Sequence, residues 1–523
     1  MRFDERSGYV KAACKLQASE TARKPEPIKL ASEGLPFRTR IARSIFWLAW
    51  SRGVLQVLAF ATTLLVARIL VPADYGVMAL AGVWTGSVGM VAEMGLGAGI
   101  IQFRDLDKRE IDTCFWLTMT LATVGFAALA ASAPMIARWF AVPRLGDVLP
   151  VLALVLPLTA CRVVSDSLLR KRLALDRVAQ AEMIGGAVTL PVMLGCAFVG
   201  LGVWTLVVGS LLAPAVRSVA TFAFAPWRRG LRIGGGRFKE VLRFSLATLG
   251  VKIMWALRED SDVLVIGKIT GQLTLGFYSM AKELALLPGT KISTVVNMLS
   301  SPMMAELQTN IDAMRTSFYR AVRLTAAIAV PTSAGFALVA NEAVSVLLGP
   351  KWLTSVPLLR LLCVYAAVRA VDVLLPPVLF ARHRERFLLW YCLALLIVTP
   401  TAAVIGALWY GALGAVVFLT PAYSAVMAIM AKEALAEMKG SFSELWSEIW
   451  PILAAATAMA AVVLLLREFA FAGLTHTPLI GLLLLSACGA AAYLTVLLAM
   501  GSPVIGEGAQ VAGWILRRRG ADS

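Results

Sequence analysis

Residues 68–81 read RILVPADYGVMALA and residues 268–281 read KITGQLTLGFYSMA. Slid by 200 positions the two align without a gap, with Arg68 on Lys268, Ile69 on Ile269, Gly76 on Gly276 and Ala81 on Ala281. A shift of 207 lays VPRLGDVLPVLAL (142–154) over GPKWLTSVPLLRL (349–361), with Pro143 on Pro350, Arg144 on Lys351 and Pro150 on Pro357. Matched Leu and Val carry little information in apolar helices. Matched Gly, Pro and basic residues at the ends of apolar runs carry more, and they make the chain a duplication.

The composition says what is duplicated. Hydrophobic residues make up 59% of the 523 and charged residues only 15%, against about 25% charged in a soluble domain. Apolar runs near 44–70, 76–103, 111–137, 147–168, 178–200, 203–225, 241–267, 274–303, 316–348, 354–380, 387–408, 411–432, 449–466 and 478–502 give about fourteen membrane spans. The fold class is therefore an all-α polytopic membrane protein, with two six-helix lobes related by a parallel repeat and two further C-terminal helices. The organisation expected is a disordered cytoplasmic tail (1–42), an N-terminal lobe (43–226), a basic linker (227–239), a C-terminal lobe (240–437), two extra helices (438–505) and a basic tail (506–523). Alternate loops such as RKRLALDR (170–177) and RHRER (382–386) hold about twenty Lys and Arg against about six on the other side, which puts both termini in the cytoplasm. The net charge of +17 belongs to these short loops, not to a tract or stripe, so nucleic acid is not an expected partner. Seven cysteines without CxxC spacing and only two histidines give no metal or cofactor signature. An even number of spans separates the lobes, so they share one orientation about an axis along the membrane normal. A cavity between such lobes, opened to each side in turn, suits transport.

The segments ARILVPADYGVMAL (67–80), EMGLGAGIIQ (93–102), DTCFWL (112–117) and DVLVIGKITGQLTLGFYSMA (262–281) resemble the polysaccharide-export branch of the multidrug/oligosaccharidyl-lipid/polysaccharide (MOP) exporter superfamily, over about residues 40 to 437. The resemblance implies an alternating-access flippase that moves undecaprenyl-pyrophosphate-linked oligosaccharide repeat units across a bacterial inner membrane for exopolysaccharide, capsule or O-antigen synthesis. Its expected partners are that lipid-linked oligosaccharide, membrane lipids, and a polysaccharide polymerase and co-polymerase. Two rival functions are a cation-coupled drug antiporter of the same superfamily and a membrane enzyme of polysaccharide assembly. The enzyme reading lacks a loop large enough for a catalytic domain, and a scaffold without transport is a third alternative.

Charges inside the membrane cost about 2.5 to 3.5 kcal/mol each when they face lipid, so these should face a cavity or each other. Arg52 and Lys252 correspond under the first shift, and Arg162 and Arg369 under the second. Four related cations suit an anionic pyrophosphate, which Arg binds through paired hydrogen bonds and Lys as a point charge. The alternative is pairing with nearby acids, Asp166 for Arg162 and Asp372 for Arg369, or snorkelling to an interface. Arg258, Glu259, Asp260 and Asp262, in WALREDSDVLVIGK (255–268), break the repeat, because their counterparts are Leu58, Ala59, Phe60 and Thr62. Either the acids couple transport to H+ or Na+, or they balance charge, with Arg258 on Asp262 at i+4 and Glu259 on Lys252 or another helix. Glu93 reads equally as a structural hydrogen-bonding group or a functional one. Gly76, Gly276 and Pro72 read as turn residues, and RIGGGRF (232–238) as a flexible basic linker.

Overall fold

The computed structural model describes residues 57–103, 106–227, 238–470 and 478–501, with Gly53, Gly230 and Gly234. Arg52 and both expected tails fall outside these residues, and Lys252 and Lys291 are described by backbone alone. Among the described residues the elements are helical, without a strand.

The first half begins with α1 (Val57–Ile69). Pro72 opens α2 (Pro72–Glu93), where its missing N–H costs nothing. Met94 and Gly95, both left-handed, then break the rod before α3 (Leu96–Gln102). Helix α4 (Lys108–Phe140) starts on a capping box between Asp107 and Glu110. The fourth span is split into α5 (Pro143–Leu152) and α6 (Val155–Lys171), and α7 (Leu175–Phe198) and α8 (Val203–Phe224) complete the half.

In the second half, α9 (Phe238–Glu306) folds back at Gly271, whose φ of 81° suits glycine. Each arm exceeds 30 residues by these bounds, about 45 Å or more of helix, enough to span a bilayer. Then follow α10 (Ile311–Leu338), α11 (Ala340–Leu347), a 3-10 turn (Pro350–Ser355), α12 (Val356–Asp372) and α13 (Leu375–Ala381). Helix α14 (Glu385–Glu437) turns back at Gly411. Two more, α15 (Phe442–Leu465) and α16 (Pro478–Ala499), close the chain. Within the described residues the expected spans therefore have helical counterparts, the first from Val57 onward, with breaks at 94–95 and 153–154 that hydropathy does not reveal.

The halves meet where the repeat is clearest. A Cβ on Gly76 would lie 1.8 Å from the Gln272 carbonyl oxygen, and one on Gly276 would lie 1.8 Å from that of Pro72. Residues 72 and 272 are themselves repeat mates, so the contact is reciprocal. The turn reading of these glycines is corrected here: both lie inside helices, and they are glycine because two backbones touch there.

Around them one end of the molecule is clasped shut. Arg68 donates through Nε to the Leu347 carbonyl at 3.1 Å and also binds the Val346 carbonyl. Its mate Lys268 donates to the Trp139 carbonyl and sits 5.0 Å from that indole. Trp139 and Val346 are mates under the 207 shift, so the halves exchange equivalent cations onto equivalent helix ends, where carbonyls gather negative charge. Lys351 donates to the Arg68 carbonyl at 2.7 Å, and the fully buried Trp352 donates to that of Ala67 at 2.9 Å. Burial pulls the Lys351 ammonium below the ordinary lysine range, against the pull of Asp74.

At the opposite end the linker is docked where it is described. Trp116 donates to the Gly230 carbonyl at 2.9 Å, the Gly234 N–H donates to Thr113 at 2.9 Å, and Trp227 packs edge-on to Phe115. The last two helices are fixed to the second half by Arg323 to Glu448, Arg467 to Glu342 (2.8 Å) and the Tyr493 hydroxyl donating to Ala327 (3.0 Å).

Candidate functional site

Each half carries a cluster of intramembrane charges, and in each some of the pairing runs between helical arms. In the second half, Lys282 reaches across the α9 hairpin to Asp262 at 2.7 Å and to the Glu259 carbonyl at 2.9 Å. Tyr278 donates to the same Asp262 carboxylate. Glu259 pairs with Arg369 of α12. Asp372 accepts from Tyr391 at 2.8 Å and Tyr423 at 2.6 Å, both on α14.

Two of these partners replace the expected ones, and the third is the other-helix alternative for Glu259. Asp262 takes Lys282 instead of Arg258, Glu259 takes Arg369, and Asp372 takes two tyrosines instead of Arg369. Arg258 lies in the field of Tyr423, Arg369 and Asp372. The space left among Arg258, Glu259, Asp262, Arg369 and Tyr423 is about 10 Å³, at most one water. Asp260 stands apart, with no hydrogen bond or ion pair among the described residues.

In the first half the hub is Asp166 on α6. It binds Arg170 at 2.9 Å and Arg217 of α8 at 3.4 Å, and Arg162 approaches it only to 4.0 Å. Arg217 also holds Glu182 of α7 at 2.8 Å. The Arg162 Nε is buried without a partner among the described residues. Near enough to act on Arg162 electrostatically is Glu93, the last residue of α2, which itself makes no hydrogen bond or ion pair among the described residues.

Glu93, Thr118, Thr159, Arg162, Asp166 and Ser167 line a cavity of about 280 Å³ between α2, α4 and α6. The break at Met94 and Gly95 sets Glu93 at its wall, and the Glu93 carboxylate lies 3.3 Å from where a Gly97 Cβ would stand. Arg162 and Arg369 thus occupy equivalent helices in unlike surroundings, one beside open volume and the other clamped. The structure places Glu93 at the cavity wall, and Arg217, Glu182 and the tyrosines are residues that local spacing does not single out. The sequence signal for Glu93 is an acid immediately before MGLG, a helix break inside an apolar run, where irregular backbone is found beside a cavity or within protein.

A larger chamber of about 770 Å³ lies between α9 to α11 and the two extra helices. Phe60, Leu287, Ile328, Phe336, Met459 and Leu483 are among the apolar residues that wall it.

Stacked apolar helices, duplicated about a reciprocal contact and clasped at one end, define a multi-pass membrane protein of the two-lobed transporter class. The similarities to known proteins agree and go further. Residues 65–357 match the family described as polysaccharide biosynthesis protein, and the chain belongs to that family. A Klebsiella pneumoniae relative, "Uncharacterized membrane protein in cps region", is 24% identical over 73% of this chain and 80% of its own length. The lipopolysaccharide biosynthesis protein WzxC of Escherichia coli K12 is 24% identical over 70% of this chain and 75% of its own. The succinoglycan biosynthesis transport protein ExoT of Rhizobium meliloti is 23% identical over 70% and 74%. Among solved structures, lipid II flippase MurJ in an inward closed conformation superposes with a TM-score of 0.69 at 12% identity, covering 86% of this chain and 97% of that one. An inward-facing multidrug resistance MATE transporter of the MOP superfamily gives 0.60 at 15% identity, covering 76% and 99%. These two likenesses establish the shared fold.

Proposed function

We infer that this chain flips a polyprenyl-pyrophosphate-linked oligosaccharide across a bacterial inner membrane, by rocking its halves about the Gly76–Gly276 contact. The observation that carries this reading is the family match over 65–357, which runs from the end of α1 through the inter-half contact into the second half. Relatives named for lipopolysaccharide biosynthesis and succinoglycan transport supply the cargo class. The clasp supports one closed end, and the positive-inside count makes that the outer end, with both termini cytoplasmic. The reading is transport, with no chemical step on the cargo.

In this reading Arg52, Lys252 and Arg369 are the cations available to the headgroup, Arg369 only after releasing Glu259, while Arg162 sits in a charge-balanced cluster open to another part of the cargo. The 770 Å³ apolar chamber suits part of the polyprenyl chain. For H+ or Na+ coupling, Asp260 is the freer acid, since Glu259 is held by Arg369. A polymerase and co-polymerase would receive the translocated unit.

Deleting the gene tests the reading: lipid-linked oligosaccharide should accumulate on the cytoplasmic leaflet, and normal translocation would refute it. Cation-driven drug efflux by reconstituted protein, without glycolipid movement, would establish the antiporter reading instead.

A further inference from the structure

We propose that the cavity bounded by Glu93 and Arg162 in the first half is a subsite for a sugar ring of the cargo's oligosaccharide. The proposal rests on the flippase reading and assigns one part of the cargo to one place.

The first argument is charge. The surrounding cluster holds three cations, Arg162, Arg170 and Arg217, and three acids, Glu93, Asp166 and Glu182. Their formal charges cancel, so the cavity has no surplus to hold a phosphate or a free metal cation. A neutral ligand leaves the balance undisturbed.

The second argument is hydrogen bonding. A carboxylate only accepts and a guanidinium only donates. Glu93 has no hydrogen-bond partner among the described residues, and Arg162, whose side chain is 24% exposed and meets Asp166 only at 4.0 Å, lines the same space. A group that serves both must donate and accept, and adjacent hydroxyls on one ring do so. Thr118, Thr159 and Ser167 have already given their protons to the carbonyls of Cys114, Val155 and Gly97, at 2.8, 2.9 and 3.2 Å. Their oxygens can still accept from a polyol.

The third argument is size and surface. The volume of about 280 Å³ corresponds to roughly nine waters of bulk liquid, room for one sugar ring and little more. Met90, Leu156 and Val163 add apolar patches to the wall, suited to the C–H face of a pyranose. A sugar has both kinds of surface, and a pyrophosphate has only the polar kind.

The test uses the full chain in lipid nanodiscs, its native cysteines replaced by alanine, with Thr159→Cys as a reporter alkylated by a maleimide. The probes come from lipid-linked oligosaccharide of the producing cell, cleaved by mild acid into free oligosaccharide and undecaprenyl pyrophosphate. Free oligosaccharide should slow alkylation about tenfold, and Glu93→Gln should abolish the protection, as expected when a hydrogen bond to a charged group is lost. Undecaprenyl pyrophosphate alone should leave the rate unchanged. Protection by undecaprenyl pyrophosphate but not by the sugar would overturn the proposal in favour of a headgroup site.

A second measurement uses the native-cysteine chain in proteoliposomes and follows flipping of the intact lipid. Glu93→Gln should slow it about tenfold. If the unsubstituted chain flips the lipid while Glu93→Gln matches it and the sugar gives no protection, the subsite is refuted and the flippase reading stands. If the unsubstituted chain flips nothing, the flippase reading fails and the subsite fails with it.

Discussion

The two halves share a backbone plan and spend it differently. Each cluster carries three cations, facing three acids in the first half and four in the second, yet one surrounds about 280 Å³ of space and the other about 10 Å³. The repeat shows what fills the second. Tyr278 stands where the first half has Met78, Tyr365 where it has Leu158, and Lys282 where it has Gly82. Aromatic rings supply volume, and their hydroxyls occupy the lone pairs of Asp262 and Asp372. Asp262, Glu259 and Asp372 are each held by partners from other helical arms, while the first half keeps Glu93 without a partner among the described residues, and Arg162 only loosely paired, beside a hole. The difference separates a strut from a receptor within a single fold.

That contrast can be broken by measurement. Asp262→Ala leaves Lys282 buried without its carboxylate and should cost about 3 to 5 kcal/mol, read as thermal destabilisation in detergent. A small loss there would mean the second cluster is not structural. Tyr423→Phe removes one hydrogen bond to the Asp372 carboxylate and should cost about 1.5 to 3 kcal/mol, again read from unfolding, with flipping retained at temperatures where the fold survives. Removing both clasping cations, Arg68→Ala with Lys268→Ala, should cost about 1 to 2 kcal/mol through the lost helix-end interactions. The double variant should also raise the outward-open population, seen as wider spin-label distances across that end. Unchanged distances would show that the clasp does not hold the end closed. Glu93→Gln should change stability least, within about 0.5 kcal/mol, because it has no partner to lose. A large destabilisation would place Glu93 with the struts.

Much of this was legible in the sequence, for a physical reason. Gly76, Gly276, Pro143 and Pro350 punctuate apolar runs, and hydropathy fixes where helices lie, so the spans and the duplication could be read directly. Charge pairing is set by which helices are neighbours. Asp262 has Arg258 four residues away, but its partner Lys282 comes from the far arm of a hairpin, and the Arg369 that binds Glu259 is separated from it by 110 residues. Local spacing proposes the wrong partner for Asp262, and for Glu259 it can name only another helix, not which residue on it. Nor does any periodicity in the sequence report an empty volume: the first-half cavity depends on what Met78, Gly82 and Leu158 fail to fill.

The Gly76–Gly276 contact carries a consequence for ancestry. In a pair of separate six-helix chains the same glycine would meet its own copy on the two-fold axis, and every mutation would strike both sides at once. Joined in one chain, the two positions mutate independently, and each copy is free to drift. That freedom has been used two residues away, where Met78 and Tyr278 now differ, and it has produced one packed half and one open half. At the glycines it has had no room to act, because the space any side chain would need is already occupied by the backbone of the other copy.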